Sequence, residues 1–136
     1  LGITHPISWN SAACLLVDGQ LIAFAEEERF NRVKHAPRIV PEQSMAFCLA
    51  QGNVSLDEVD YIAIGFDRAT KASLGNLKLS EGIHALNQAA NWLRDARKYE
   101  QMLPFDIDDE RVVFVNHHLA HAASTFYASG FEEANI

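Results

Sequence analysis

The residues best suited to chemistry lie in Asn116-His117-His118-Leu119-Ala120-His121, between an apolar run and a helix-compatible segment. His117 and His121 are four apart, a spacing that stacks two side chains on one face of a helix. Two neutral imidazoles so placed can take adjacent positions on one metal ion, at about 2.0–2.1 Å for zinc. The pair is half a site. A further ligand, as a rule a carboxylate, must come from elsewhere, as in open two-His-one-carboxylate iron centres. The plainer reading is that these histidines cap a helix or satisfy core hydrogen bonds, but their crowding at a strand-to-helix junction favours a metal. His118, about 100° round the helix from His117, points to a neighbouring site.

Two further segments carry candidate groups. Glu26 to Arg38 is dense in charge of both signs, with Phe30 and Val33 interleaved. Charge runs are usually solvated loops, yet this one follows directly from an apolar strand, where open α/β sheets place ligands. Arg29, Arg32, Lys34 and Arg38 are available to an anionic group, and arginine suits bidentate phosphate contact. Thr4-His5-Pro6-Ile7-Ser8-Trp9-Asn10-Ser11 is a polar loop between two strands. His5 there is a candidate general base, because an unperturbed imidazole titrates near the pH where proton transfer is wanted. The alternative is a turn fixed by Pro6 with Trp9 packed on the core.

The elements that must position these groups follow from patterning. Ala12–Val17 and Gln20–Glu26 are apolar runs around Asp18-Gly19, a hairpin signal because the turn needs positive φ at both residues. Leu1–Thr4 reads as a third strand beside them. Pro41 opens a helix carrying Met45, Ala46, Leu49 and Ala50, with Gly52 as its stop. Ser55–Glu58 is a capped turn, and Val59–Phe66 a strand. A helix is expected over Leu77–Met102, with Leu79, Ile83, Leu86, Ala90 and Leu93 on one face and Trp92 and Tyr99 in packing roles. His84 on that helix receives no role. Pro104 ends it, Arg111–Val115 is a strand, and the last helix runs from about His118 to Ala128. The order β-β-β-α-β-α-β-α is a mixed α/β layer fold.

The 136 residues have 49% hydrophobic and 21% charged content, which makes one ordinary globular domain. A net charge of −7 argues against a nonspecific nucleic-acid partner. No apolar stretch reaches the length of about 18–20 residues that a membrane span requires. Cys14 and Cys48 lie in apolar runs and read as buried thiols of a reducing, cytoplasmic compartment. No leader with a basic region and an apolar core opens the chain. The chain begins inside a strand and stops where another apolar run starts, so the expectation is a piece of a longer protein.

Three stretches together resemble the O-carbamoyltransferases, a family that includes nodulation-factor and antibiotic-carbamoylating enzymes. They are Ala12–Gly19, then Ala25-Glu26-Glu27-Glu28-Arg29-Phe30-Asn31-Arg32-Val33-Lys34-His35-Ala36-Pro37, then Asn116–Tyr127. Their order and spacing match over nearly the whole chain. The resemblance implies that residues 1–136 are the N-terminal lobe of an actin-like ATPase (ribonuclease H-like) domain. It implies carbamoyl phosphate and ATP as substrates, converted to a carbamoyl-adenylate on a separate C-terminal domain of the same chain. The actin-like domain would then move the carbamoyl group to a hydroxyl of a small-molecule acceptor.

By the same resemblance His117 and His121 hold an iron-type or other divalent metal. Lys34 acts near the nucleotide or carbamoyl group, with Arg32, Asn10 and His118 in binding roles. The family's usual His-Asp or His-Asn pair is replaced here by Trp9-Asn10. Either His5 serves from a longer loop or another base does. The lobe is also similar to the tRNA threonylcarbamoyl-transfer proteins, which carry a His-x-x-x-His pair, although the acidic charge disfavours that role. A non-catalytic interaction lobe is the third alternative.

Overall fold

The computed structural model describes residues 1–66, 90, 91 and 94–133. Five strands form one mixed sheet: β1 (Gly2–Ile3), β2 (Ala12–Val17), β3 (Gln20–Glu26), β4 (Ile62–Ile64) and β5 (Val112–Phe114). Their order across the sheet is β3-β2-β1-β4-β5. β2 runs antiparallel to both β1 and β3, while β4 is parallel to β1 and β5 parallel to β4. Among the described residues the bounded helices are α1 (Glu28–Asn31), α2 (Glu42–Gly52) and α3 (His117–Ser129), with a 3-10 turn at Leu56–Glu58. The mixed α/β expectation holds in this form.

The hairpin forms where its sequence places it. Asp18 and Gly19 both take positive φ, 50° and 76°, the two-residue geometry whose twist matches that of the flanking strands. Farther from the ends a bulge shifts the register between Leu15 and Leu16. β1, β4 and β5 are shorter than their apolar runs. β1 is closed by Thr4, whose hydroxyl accepts the Ala12 N–H at 2.9 Å in place of a further rung.

α2 packs on the hairpin with Met45 buried and Leu49 half-buried, as expected, but its inward face is rotated from the one that the four apolar positions mark. Met45 and Cys48 are buried with Ser44, whereas Ala46 and Ala50 are exposed. Glu27 sets this rotation. Its carboxylate, only 2% exposed, accepts the N–H groups of Gln43 (3.2 Å) and Ser44 (2.8 Å) and the Ser44 hydroxyl (2.8 Å). An anion at a helix start satisfies amides that have no intrahelical partner. The helix stops at Gly52, as expected, but the left-handed turn falls one residue later. Asn53, not Gly52, takes the left-handed conformation (φ 52°). Gly52 is needed for space instead, because a Cβ there would stand 2.3 Å from Cδ2 of Leu15.

The core gathers Ile3, Ala13, Leu15, Ala23, Met45, Cys48 and Ile64, with Leu103 closing one side. Cys14 and Cys48 are both free, Cys14 half-buried and Cys48 buried, and burial raises both thiol pKa values. Residues 94–100 are helical and turn at 101–102. Ala96, Glu100 and Leu103 face inward, while Ala90 is exposed. The remaining face expected for the long helix (Leu79, Ile83, Leu86, Leu93), with Trp92 and His84, lies outside the described residues. Among the described residues no helix is long and apolar enough to cross a membrane.

Candidate functional site

Strand direction collects the chemistry at one end of the sheet. β1, β3, β4 and β5 all run the same way. Their C-terminal ends therefore deliver loop 4–11, the segment after Glu26, the Gly65-Phe66 corner and the His117 helix start to one edge. Open α/β sheets bind ligands at that edge.

The charged segment is not a plain loop. It begins as α1 and then bends through Arg32, His35, Ala36 and Arg38, all at positive φ between 42° and 63°. Such conformations cost non-glycine residues about 1–3 kcal/mol each and persist where surroundings enforce them. Here hydrogen bonds do so. Glu28 Oε2 accepts the His35 N–H at 2.5 Å, and Asn31 Oδ1 accepts the Val33 N–H at 2.8 Å. The His35 contact holds the Glu28 carboxyl below its ordinary pKa. Loop 4–11 grips the bend from the other side. The Ser11 N–H donates to the His35 carbonyl, the Arg38 N–H to the Ser8 carbonyl, and the Ser11 hydroxyl to the Ile39 carbonyl.

This frame leaves Arg32, Lys34 and Arg38 exposed. Among the described residues none of the three forms an ion pair, whereas Arg29 is matched by Glu26 (3.3 Å) and Glu28 (3.7 Å). Asn10 is exposed on the adjoining loop, beside Trp9, which is 83% exposed and does not pack on the core.

His117 and His121 meet as their spacing requires. Asn116 caps α3 by accepting the Leu119 N–H at 3.0 Å, which starts the helix at His117, one residue earlier than expected. His117 Nδ1 lies 3.3 Å from the Gly65 carbonyl. That oxygen can only accept, so Nδ1 carries the proton and Nε2 presents a lone pair. Nε2 of His121 stands 3.1 Å from it. Two nitrogens bonded at about 2.0–2.1 Å to one ion stand roughly 3 Å apart, and a backbone carbonyl fixing the other ring nitrogen is the usual support of a metal-binding histidine. The donor set fits half of a metal site. Among the described residues no third histidine, cysteine or carboxylate joins it. The His118 ring lies 5.8 Å from that of His117, exposed and turned by 68°.

His5 is 1% exposed. Its Nε2 is 3.2 Å from Glu100 Oε1, its Nδ1 accepts the Ile7 N–H at 3.3 Å, and its ring stacks on Phe66 with centroids 4.3 Å apart. Glu100, like Glu27, carries no sequence signal of its role, since its partner is 95 residues away. The structure thus brings together loop 4–11, the cationic bend and, through the Gly65-Phe66 corner, the histidine pair.

The fold and site are those of a mixed-sheet α/β lobe with an exposed cationic bend and a paired-imidazole helix start at one sheet edge. The chain is a member of the carbamoyltransferase N-terminal family, whose model matches residues 1–136. It is 36% identical over its whole length to the nodulation protein NolNO of Sinorhizobium fredii (strain NBRC 101917 / NGR234), matching 20% of that protein. It is 32% identical, over 93% of its own length and 23% of the relative's, to the uncharacterized protein sll1178 of Synechocystis sp. (strain ATCC 27184 / PCC 6803 / Kazusa). A third relative, an uncharacterized 19.2 kDa protein of Rhizobium etli, is 46% identical over 54 residues. The chain spans about a fifth of the length of the first two relatives.

Proposed function

We propose that the full-length protein is an O-carbamoyltransferase and that this chain is the first lobe of its actin-like transfer domain. The donor would be a carbamoyl-adenylate made on a C-terminal domain of the same protein: water cleaves carbamoyl phosphate to carbamate and phosphate, and the carbamate oxygen attacks the α-phosphorus of ATP as pyrophosphate leaves. The acceptor oxygen forms a bond to the carbamoyl carbon, the bond from that carbon to the phosphate oxygen breaks, and AMP leaves with the electron pair. The acceptor's proton passes to a base or to solvent. The observation that carries this reading is the hydrogen-bonded bend presenting Arg32, Lys34 and Arg38, free of ion pairs among the described residues, at the sheet edge that also bears the histidine pair.

The residues divide the work by chemistry. Lys34 and Arg32 neutralise the charge that grows on the departing phosphate, a contribution larger at a water-poor site than in bulk water. Asn10, on the loop beside the bend, offers an amide to the carbamoyl group or the nucleotide. His117 and His121 would hold a divalent ion of the iron type, which supplies charge stabilisation to an oxygen when bound. His118, outside that pair, is placed to meet nucleotide or solvent. His5 is enclosed, with both ring nitrogens engaged, and the geometry supports a holding role more than a base that meets the acceptor. Family membership and the mixed sheet flanked by helices support the actin-like assignment. The two free, part-buried or buried thiols support a cytoplasmic site of action.

The test is turnover by the full-length protein with carbamoyl phosphate, ATP and a panel of sugar, aminoglycoside and polyketide hydroxyl acceptors. Pyrophosphate release that depends on carbamoyl phosphate, and AMP release that depends on an acceptor, are expected. Absence of both across the panel contradicts the proposal. Salt-sensitive tRNA binding with carbamoylation of an adenosine would replace it with the threonylcarbamoyl-transfer reading.

A further inference from the structure

Glu100 has no counterpart among the residues assigned above, yet it is a carboxylate 6% exposed in the last turn of the 94–100 helical stretch. A buried carboxylate is costly to retain unless it is paired and hydrogen-bonded. Its oxygen is 3.2 Å from His5 Nε2. The other ring nitrogen faces the Ile7 N–H, which can only donate, so Nδ1 is bare and Nε2 carries the proton toward Glu100. His5 thus bridges the Ile7 amide and the Glu100 carboxylate, stacked on Phe66 at 25° between the ring planes.

What the bridge holds is the loop that grips the cationic bend. The His5 carbonyl accepts the Ser8 N–H at 2.8 Å, the Ser8 carbonyl accepts the Arg38 N–H at 3.0 Å, and the Ser11 N–H donates to His35 at 3.1 Å. His35 and Arg38 are two of the positive-φ residues that give the bend its shape. A continuous chain of contacts thus runs from Glu100 through His5 and Ser8 to Arg38.

We propose that Glu100 is a positioning residue: through the His5 imidazole it fixes loop 4–11, and through that loop it holds the bend in the shape that takes an anionic phosphoryl ligand. The ligand class rests on the transferase reading above; the clamp itself rests on geometry alone. Glu100 converts the fold of a distant helix into the placement of Arg32, Lys34 and Arg38.

The experiment compares the full-length protein with its E100A and E100Q variants in two measurements. Hydrogen exchange at the Ser8, Ser11 and Arg38 amides rises about tenfold or more in E100A, with Ser44 and Met45 of α2 unchanged. In E100Q, whose side-chain oxygen still accepts from Nε2–H, the same amides stay within about twofold. AMP, the phosphate monoester that the adenylate leaves behind, binds E100A about tenfold more weakly and E100Q nearly as well as the parent. Exchange that is unchanged in E100A, or that rises equally in α2, overturns the clamp. AMP that fails to bind the unmodified protein removes the ligand class and leaves the exchange result to judge the clamp. Should E100A not fold, nitrogen NMR of His5 in the unmodified protein decides: a bare Nδ1 and a protonated Nε2 uphold the clamp, and the opposite tautomer or an imidazolium overturns it.

Discussion

His117 and His121 were legible as a pair because a four-residue helical spacing constrains geometry whatever the surroundings. What made the pair directional was not legible: the Gly65 carbonyl that fixes the His117 proton comes from a strand end 52 residues away. The same holds at His5, whose residue type marked it as a candidate while its enclosure by Glu100 and Phe66 arises only from the fold. Substituting either His117 or His121 by alanine is expected to remove stoichiometric divalent metal from the full-length protein, read by elemental analysis; full metal content in either variant would dissolve the assigned site. Among the cations, Lys34→Ala should lower kcat by about 10²–10³-fold if the ammonium meets growing phosphate charge, as loss of one preorganised donor does. Arg29→Ala should leave turnover within about twofold, since that guanidinium is already matched by Glu26 and Glu28. Equal losses in the two variants would remove the distinction between free and paired cations.

At the scale of elements, α2 depends on a residue outside it. Glu27→Ala would leave the Gln43 and Ser44 amides without their acceptor in a buried place, and a loss of about 2–4 kcal/mol is expected from chemical denaturation. Glu27→Gln, keeping one acceptor oxygen, should lose less. The start of β5 is pinned differently. Arg111 grips Asp109 (2.9 Å) and donates to the Leu56 carbonyl (3.1 Å), tying the 3-10 turn to the strand. The guanidinium pulls the Asp109 carboxyl from 3.8 to about 2. A carboxyl whose folded-state pKa is depressed contributes stability above its unfolded value and loses it as pH falls toward the folded one. Asp109→Asn should therefore flatten the part of the stability profile between about pH 4 and pH 2, and an unchanged profile would show that the pair contributes nothing measurable.

These elements also show why patterning succeeded in one place and failed in another. Asp18-Gly19 dictates its hairpin locally, through two positive φ values. The face that α2 buries is dictated from 17 residues away by Glu27, so apolar spacing alone found Met45 and Leu49 but added the exposed Ala46 and Ala50. Charge density in Glu26–Arg38 hid both a helical turn and a strained bend, because opposite charges that pair locally look the same in sequence as charges left free.

Across the whole molecule, the sheet covers one of its faces better than the other. Ala23 and Ala25 turn toward α2, while Phe24 between them is 60% exposed and Leu16 and Leu21 lie open nearby. Exposed apolar groups on this scale promote association. Residues 1–136 produced alone should bind a hydrophobic dye and self-associate in analytical ultracentrifugation, and Phe24→Lys with Leu21→Lys should reduce both; a dye-silent, monomeric segment would contradict the openness of that face.

Function belongs to this scale too, because a chain that spans a fifth of its relatives can position a ligand at one sheet edge without enclosing it. The most direct measurement uses the full-length protein, isotope-labelled carbamoyl phosphate, ATP and a hydroxyl acceptor, with mass spectrometry of the acceptor. The predicted result is labelled carbamate on the acceptor oxygen, formed by the unmodified protein and lost in Lys34→Ala. Label that reaches no acceptor, or that reaches it equally well without Lys34, would contradict a transfer centre at this edge of the sheet.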